Sequence, residues 1–307
     1  MSTVATRTRQ VVRRPARRAA WTGRAMLVPA VFAVVVIAVY PLVFSVAASL
    51  SDSSLGQQFT DWVGGANYAA LFTDGVTLPS LVRSVVFALA SAILALVGGS
   101  VVALCLDVSV RSGRVLRVLL LLPLMTPPVM AAVVWRLMLA PTGGLFNNVI
   151  QTISPGAEPF LFLGSSPAAM ISVIAVDAWQ WAPFCALLVF AALQTLPSEV
   201  YEAAQVDGAG TLQVFRRITF PLLLPSLLTA LLLKVVLSFK VFDLVFVMTG
   251  GGPGFDTTVS SYDIYRSGFQ SFDIGMAAAQ TIVFLVLVTI VIVPLNAVRQ
   301  RAQKGAS

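Results

Sequence analysis

The chain has 307 residues, 58% hydrophobic and 11% charged, with a formal net charge of +7, no histidine and two cysteines. A soluble domain of this length carries about 45–50% apolar and about 25% charged residues, so lipid must supply much of the solvent. With no histidine, and with Cys105 and Cys185 set inside apolar runs, there is neither a metal cluster nor a disulfide framework to build on.

Residues 1–20, rich in Arg, Ala and Thr, read as an unstructured start to a basic tail spanning 1–24. A bilayer core needs about 20 mostly apolar helical residues, because the backbone must satisfy its own hydrogen bonds where water is absent. The first such stretch is 25–49. Its basic start and Val46-Ala47-Ala48 resemble a secretory signal, but signal cores run to about 7–15 residues, so the stretch reads as a span. The second is 81–106. The third, 115–138, contains Pro123, Pro127 and Pro128, which predicts a kink or unwound turn whose freed carbonyls face protein or a cavity. Stretches 167–193, 222–247 and 275–298 complete six, and 299–307 forms a short tail. The fold class is therefore an all-α membrane protein with six transmembrane helices.

Lys and Arg are retained on the cytoplasmic side of a membrane, and here they alternate by loop. Arg7, Arg9, Arg13, Arg14, Arg17, Arg18 and Arg24 precede the first span, and Arg111, Arg114 and Arg117 follow the second. Arg216 and Arg217 lie between the fourth and fifth, and Arg299, Arg301 and Lys304 close the chain. Loops 50–80, 139–166 and 248–273 contain Arg266, with Arg83 and Arg136 at span edges. Both termini are expected in the cytoplasm, in a cytoplasmic (inner) cell membrane. Topology thus accounts for the basic residues, and without aromatic-basic interleaving a nucleic-acid partner is not expected.

The loop 196–221 between the fourth and fifth spans reads as helix, turn, helix. Ser198 is a candidate cap for the first helix, with Glu199 and Glu202 near its positive end. Gly208 supplies the turn. Thr211 is a candidate cap for the second helix and Pro221 marks its expected end. Val200, Ala203 and Ala204 share one face, small enough for another surface to approach closely. An amphipathic hairpin that merely joins two spans is the plain alternative.

Glu202-Ala203-Ala204, Gly208, Ile218 and Pro221 stand at the spacing of a motif found in permease subunits of binding-protein-dependent ABC importers, which this chain resembles. Phe220 stands where Leu is usual. The resemblance implies that 196–221 is a cytoplasmic coupling helix-turn-helix seated on an ATPase subunit, with Glu202, Ala203, Ala204, Asp207, Gly208, Phe215, Ile218 and Pro221 in the coupling contact. Further likeness points to the carbohydrate-uptake branch, similar to the first permease subunit of maltose and glycerol-3-phosphate importers. It is carried by Tyr40-Pro41, Val63-Gly64, Asn67-Tyr68, Pro123 and Trp135, Gly144-Leu145-Phe146-Asn147, and Phe242-Asp243. Thr249-Gly250-Gly251-Gly252-Pro253-Gly254, Tyr262, Tyr265, Phe269, Gly275 and Ala277-Ala278-Ala279 add to it. Arg83-Ser84 departs from the Asn-Thr pair common at that point. The implied partners are a homologous second permease subunit, two ATP-binding subunits, an extracytoplasmic solute-binding protein and membrane lipid. The glycine run lacks the Lys-Ser/Thr ending of a nucleotide loop and reads as an external turn near the binding protein. No cofactor or metal is expected on this chain; ATP and Mg2+ belong to the partner ATPase subunits.

An ionisable side chain at mid-bilayer costs about 2.5–3.5 kcal/mol on insertion scales. Asp177, Lys234, Lys240 and Asp243 should therefore face the bundle interior, either as structural pairs (Asp177 with Lys234, Lys240 with Asp243) or along a polar path. Trp179, Gln180, Phe184, Ser238, Phe239, Lys240, Asp243 and Gln280 are the candidate substrate-path residues, since aromatic faces, amides and hydroxyls suit a sugar or polyol. Lys234 and Lys240 also leave room for glycerol-3-phosphate or a related phosphodiester. An ion-coupled secondary transporter using Asp177 or Asp243 would leave the loop unexplained, and a membrane-embedded enzyme would need a nucleophile–base pair that the sequence does not offer.

Overall fold

The structure, a computed structural model, describes residues 17–108 and 121–306. Arg7, Arg9, Arg13, Arg14, Arg111, Arg114, Arg117 and residues 115–120 of the expected third span lie outside them. Among the described residues five helices are long and apolar enough to cross a membrane, and the two short strands β1 (Ser51–Asp52) and β2 (Asp61–Trp62) form one antiparallel hairpin. The chain divides into two units, 1–47 and 48–307.

In the first unit, Arg17–Ala20 lie within α1 (Arg17–Ser49) and are helical where an unstructured tail was expected. Arg and Ala are good helix formers and carry the helix through Gly23 into the basic segment.

In the second unit, α2 (Ala66–Leu71) is held under β1: the Asn67 amide donates to the Ser49 and Ser51 carbonyls at 3.0 Å each, and the Tyr68 and Ser49 hydroxyls lie 2.8 Å apart. Next comes α3 (Thr77–Val108), four residues longer at its start than expected because Asp74 bonds the Val76 and Thr77 amides and the Thr77 hydroxyl. A helical stretch at 121–125 breaks at Thr126 and Pro127, and α4 (Pro128–Met138) restarts with proline in its first turn, as the proline triplet predicts. Then follow α5 (Leu145–Ile153) and α6 (Ser166–Leu193). Asn147, 1% exposed, donates to the Ala140 and Phe160 carbonyls at 3.1 Å and accepts from the Phe160 amide at 2.7 Å, so the Gly-Leu-Phe-Asn signature is a strut for the connection.

The core of this unit is the long packing of α3 on α6. A Cβ on Gly99 would stand 2.6 Å from the Ala182 carbonyl and 2.7 Å from the Ala186 amide. That closeness is the small-residue packing by which helices associate where lipid removes the hydrophobic drive.

The loop gives α7 (Ser198–Val206) and α8 (Thr211–Val214), then a π-helical turn, Phe215–Thr219, running without a stop into α9 (Phe220–Ser238). Pro221 therefore does not end the second helix. It sits in the first turn of α9, where the preceding π turn tolerates its missing N–H. The expected fifth span, 222–247, is also not continuous: residues 239–242 are non-helical and α10 (Asp243–Met248) restarts beyond them. The glycine-rich turn leads to α11 (Ser260–Tyr265) and, after a second π turn at Arg266–Gln270, to α12 (Ile274–Ala306). Phe242, Phe246, Tyr262, Tyr265 and Phe269 pack ring on ring between α10 and α11.

Candidate functional site

Three places hold the residues singled out by the sequence. The first is the loop end of the bundle. Gly208 has φ +71, the left-handed conformation that glycine adopts without cost. Its amide donates to the Gln205 carbonyl (3.1 Å) and the Ala209 amide to the Ala204 carbonyl (2.9 Å), the paired pattern of a Schellman cap that satisfies the orphan carbonyls of α7. Neither serine nor threonine caps here. Pro197 precedes α7 and Gly210 precedes α8, and Ser198 and Thr211 are the first helical residues, without a side-chain capping bond. Extended backbone at Pro197 and Gly210 already sets the entry angle, leaving the hydroxyls one position too late.

The two arms are clipped by the Tyr201 hydroxyl, which donates to Thr219 Oγ1 at 3.1 Å, 18 residues away. Ala204 is buried, whereas Glu202, Ala203, Asp207, Gly208 and Pro221 are exposed, and Val206 and Leu212 are 88% and 68% exposed. Phe215 and Ile218 are half-buried on the π turn. A folded, capped hairpin thus presents small and apolar side chains outward.

The second place is the middle of the bundle. Lys234 Nζ, on a fully buried side chain, donates to Asp177 Oδ2 at 2.5 Å and to Ser238 Oγ at 2.7 Å, and lies 5.5 Å over the Trp181 ring. The Ser91 hydroxyl also donates to Asp177 Oδ2. Three helices, α3, α6 and α9, meet in this one network, and the pairing of Asp177 with Lys234 is realised. The pairing of Lys240 with Asp243 is not. No ion pair joins them among the described residues, because the break at 239–242 removes the helical turn that would have stacked one on the other.

Both helix breaks converge on a cavity of about 180 Å³, lined by Pro128, Asp177, Gln180, Lys240, Phe242 and Asp243 among others. Non-helical backbone at membrane depth is tolerated where it faces protein or a cavity. The Thr126 carbonyl freed at the first break is taken by Gln180 Nε2 at 2.9 Å, and Gln180 Oε1 is buried without a hydrogen-bond partner among the described residues. Of the eight candidate path residues, Gln180, Lys240 and Asp243 line this cavity. Ser238 is spent on Lys234. Trp179 stacks edge-on against Trp135, Phe184 against Trp181, and Phe239 against Phe284.

Gln280 belongs to the third place, at the far end. Its amide donates to Asp263 Oδ2 (3.2 Å) and to Thr77 Oγ1 (2.9 Å). Asp263, 1% exposed, also accepts from Thr77 and Ser80 and pairs with Arg266 at 2.9 Å, joining α3, α11 and α12. Burial pushes its carboxyl above the ordinary range, against the pull of Arg266 and Thr77. Beside this centre the glycine turn uses its own amides internally: Gly250 donates to Val245 and Gly252 to Thr249. Thr257 and Thr258 donate back to Gly252 and Gly251. Arg83 reaches Asp256 of this turn at 3.4 Å, and Ser84 bonds Ser260, so the departure at 83–84 ties α3 to the glycine-rich segment. The sequence reading missed Tyr201, Thr219, Ser91 and Asp263; only a pairing of residues far apart in the chain marks them.

Residues 95–304 match the family described as binding-protein-dependent transport system inner membrane component. The chain is 34% identical over 274 residues to the trehalose/maltose transport system permease protein MalF of Thermococcus litoralis, covering 88% of this chain and 91% of that protein. It is 30% identical over 281 residues to the sn-glycerol-3-phosphate transport system permease protein UgpA of Salmonella choleraesuis, covering 91% and 94%. The crystal structure of a bacterial ABC transporter involved in the import of the acidic polysaccharide alginate has a chain of the same fold, with a TM-score of 0.80 at 22% identity, covering 92% of this chain and 96% of that one.

Proposed function

The chain belongs to the family of inner membrane components of binding-protein-dependent transport systems, and from that premise we propose that it is one permease half of an ATP-driven importer for a sugar or polyol. The observation that carries this is the loop end: a Schellman-capped, tyrosine-clipped hairpin with exposed Glu202, Ala203, Val206 and Leu212. It is a rigid knob, suited to receive force.

On this reading the loop seats on an ATP-binding subunit in the cytoplasm, both termini share that side, and the third span crosses through the stretch broken at Thr126 and Pro127. Two ATP-binding subunits hold ATP and Mg2+ and do all the chemistry. A homologous second permease completes the bundle, and an extracytoplasmic binding protein delivers solute at the far end, where the glycine turn lies. Closure of the ATP-binding subunits draws the loops together, and rigid helices convert that motion into a cavity open first to one side and then to the other. Gln180, Lys240 and Asp243 form this chain's share of the solute path. Lys240, in no ion pair among the described residues, favours glycerol-3-phosphate or a related phosphodiester as the second reading.

Glu202→Lys and Gly208→Leu test the coupling role. Each is expected to abolish ATP-driven uptake and pull-down of the ATP-binding subunit; retention of both by either variant overturns it. Melting shifts of the cognate binding protein against sugars and glycerol phosphates separate the two solute classes.

A further inference from the structure

Hydrogens are scarce around Asp263. Its Oδ2 lies 3.1 Å from Thr77 Oγ1 and 3.4 Å from Ser80 Oγ, and each hydroxyl has one hydrogen to give. Each also has a nearer acceptor: Ser80 Oγ is 2.8 Å from the Thr77 carbonyl, and Thr77 Oγ1 is 2.5 Å from Asp74 Oδ2. With the hydrogens in those shorter bonds, Thr77 Oγ1 and an ionised Asp263 would meet as two acceptors. Gln280 Nε2, 2.9 Å from Thr77 Oγ1, fills one lone pair of that hydroxyl and leaves the other for Asp263.

A proton on Asp263 completes the set. The two carboxylates share one hydroxyl, and a negative charge is better placed on Asp74, which is exposed and also accepts the Val76 and Thr77 amides at 3.0 Å, than on Asp263, 1% exposed. Arg266 Nη2, 2.9 Å from Asp263 Oδ1, does not require an anion. Its side chain is 26% exposed, its guanidinium lies 4.6 Å over the Phe255 ring, and Oδ1 of a neutral acid is still an acceptor. Arg266 and Asp74 are the charged groups acting on this carboxyl among the described residues; α3 presents Thr77 and Ser80 to it, and α12 presents the uncharged Gln280. We propose that Asp263 is a neutral acid in the folded chain, with its Oδ2–H donating to Thr77 Oγ1, and that this proton latches α11 and α12 onto the start of α3. Loss of the proton sets two carboxylates against one hydroxyl, and the far end loosens while the packing of α3 on α6 holds. Where that end faces outward, as the functional reading above has it, external pH sets how firmly the glycine turn and α11 are held. The latch itself requires neither a particular solute nor the coupling role.

The test takes the full-length chain, in the assembly it forms in its own membrane, into nanodiscs and titrates it from mildly acidic to mildly alkaline pH. Infrared spectra are expected to show a protonated carboxyl C=O band that shifts in deuterium oxide, fades as pH rises and is missing from Asp263→Asn. Over the same interval hydrogen exchange at 256–280, taken relative to 166–193 in the same sample, is expected to rise several-fold in the unaltered chain. It should stay level in Asp263→Asn, whose amide donates to Thr77 and accepts from Arg266 as a neutral acid does. Asp263→Ala can do neither and should exchange fast at every pH; if it does not accumulate, the asparagine variant against the unaltered chain decides. No difference in the infrared band between those two chains, exchange that stays level in the unaltered chain, or exchange that climbs equally in both would each overturn the latch. So would an Asp263→Asn chain as loose as Asp263→Ala, the result expected of a broken ion pair.

Discussion

The hairpin at 196–221 and the network around Lys234 keep their shapes by opposite means. In the hairpin the backbone does the holding, through a glycine cap and a single hydroxyl pair, and most side chains remain free. Around Lys234 the side chains hold one another across three helices, and none is free. A surface that must meet a partner leaves its side chains uncommitted; charges removed from water must commit theirs, because an unpaired one is costly there.

The sharpest break in this contrast is Lys234→Leu, which strands Asp177. A loss of about 3–5 kcal/mol is expected, seen as failure of the chain to accumulate, and Lys234→Leu with Asp177→Leu should recover much of it. Failure of the double variant to recover would mean that the network is not such a strut. In the hairpin, Gly208→Leu meets open space and costs only its left-handed backbone, about 1–2 kcal/mol. The chain should therefore accumulate while uptake is lost, with Gly208→Asn intermediate. Tyr201→Phe removes one hydrogen bond, about 0.5–1.5 kcal/mol, and is expected to lower transport with little change in melting temperature.

The smallest effect concerns Asp263, a second buried centre. Its folded value lies above its unfolded one, so its contribution is fully present below the ordinary carboxylate value and is lost as pH rises through the folded value. Melting temperature followed over that interval should fall with rising pH, and Asp263→Asn should flatten that part of the slope.

Local spacing made the hairpin legible: Glu202-Ala203-Ala204, Gly208 and Pro221 lie within one short segment, and a turn glycine is marked by its neighbours. The proline break at 126–127 was legible for the same reason. The break at 239–242 was not, since no proline or glycine marks it and its cause is tertiary: the Val241 carbonyl is taken by the Ser261 hydroxyl, and Phe242 turns into the aromatic stack. Gly99 escaped notice because the pair Gly98-Gly99 in an apolar run does not say which of the two meets a neighbour until the facing helix is in place. The pairing of Asp177 with Lys234 could be guessed from cost alone, whereas Ser91 and Ser238 could not, as serine is inexpensive anywhere in a span.

The turn at Phe215–Thr219 amounts to one residue more than a regular helix would hold. Deleting a single position there would return the segment to α geometry and rotate everything before it by about 100° about the axis of α9. The bearing of the knob relative to the bundle is thus set like the hand of a clock, by a count that the Tyr201–Thr219 contact then latches, and a one-codon change would re-aim it.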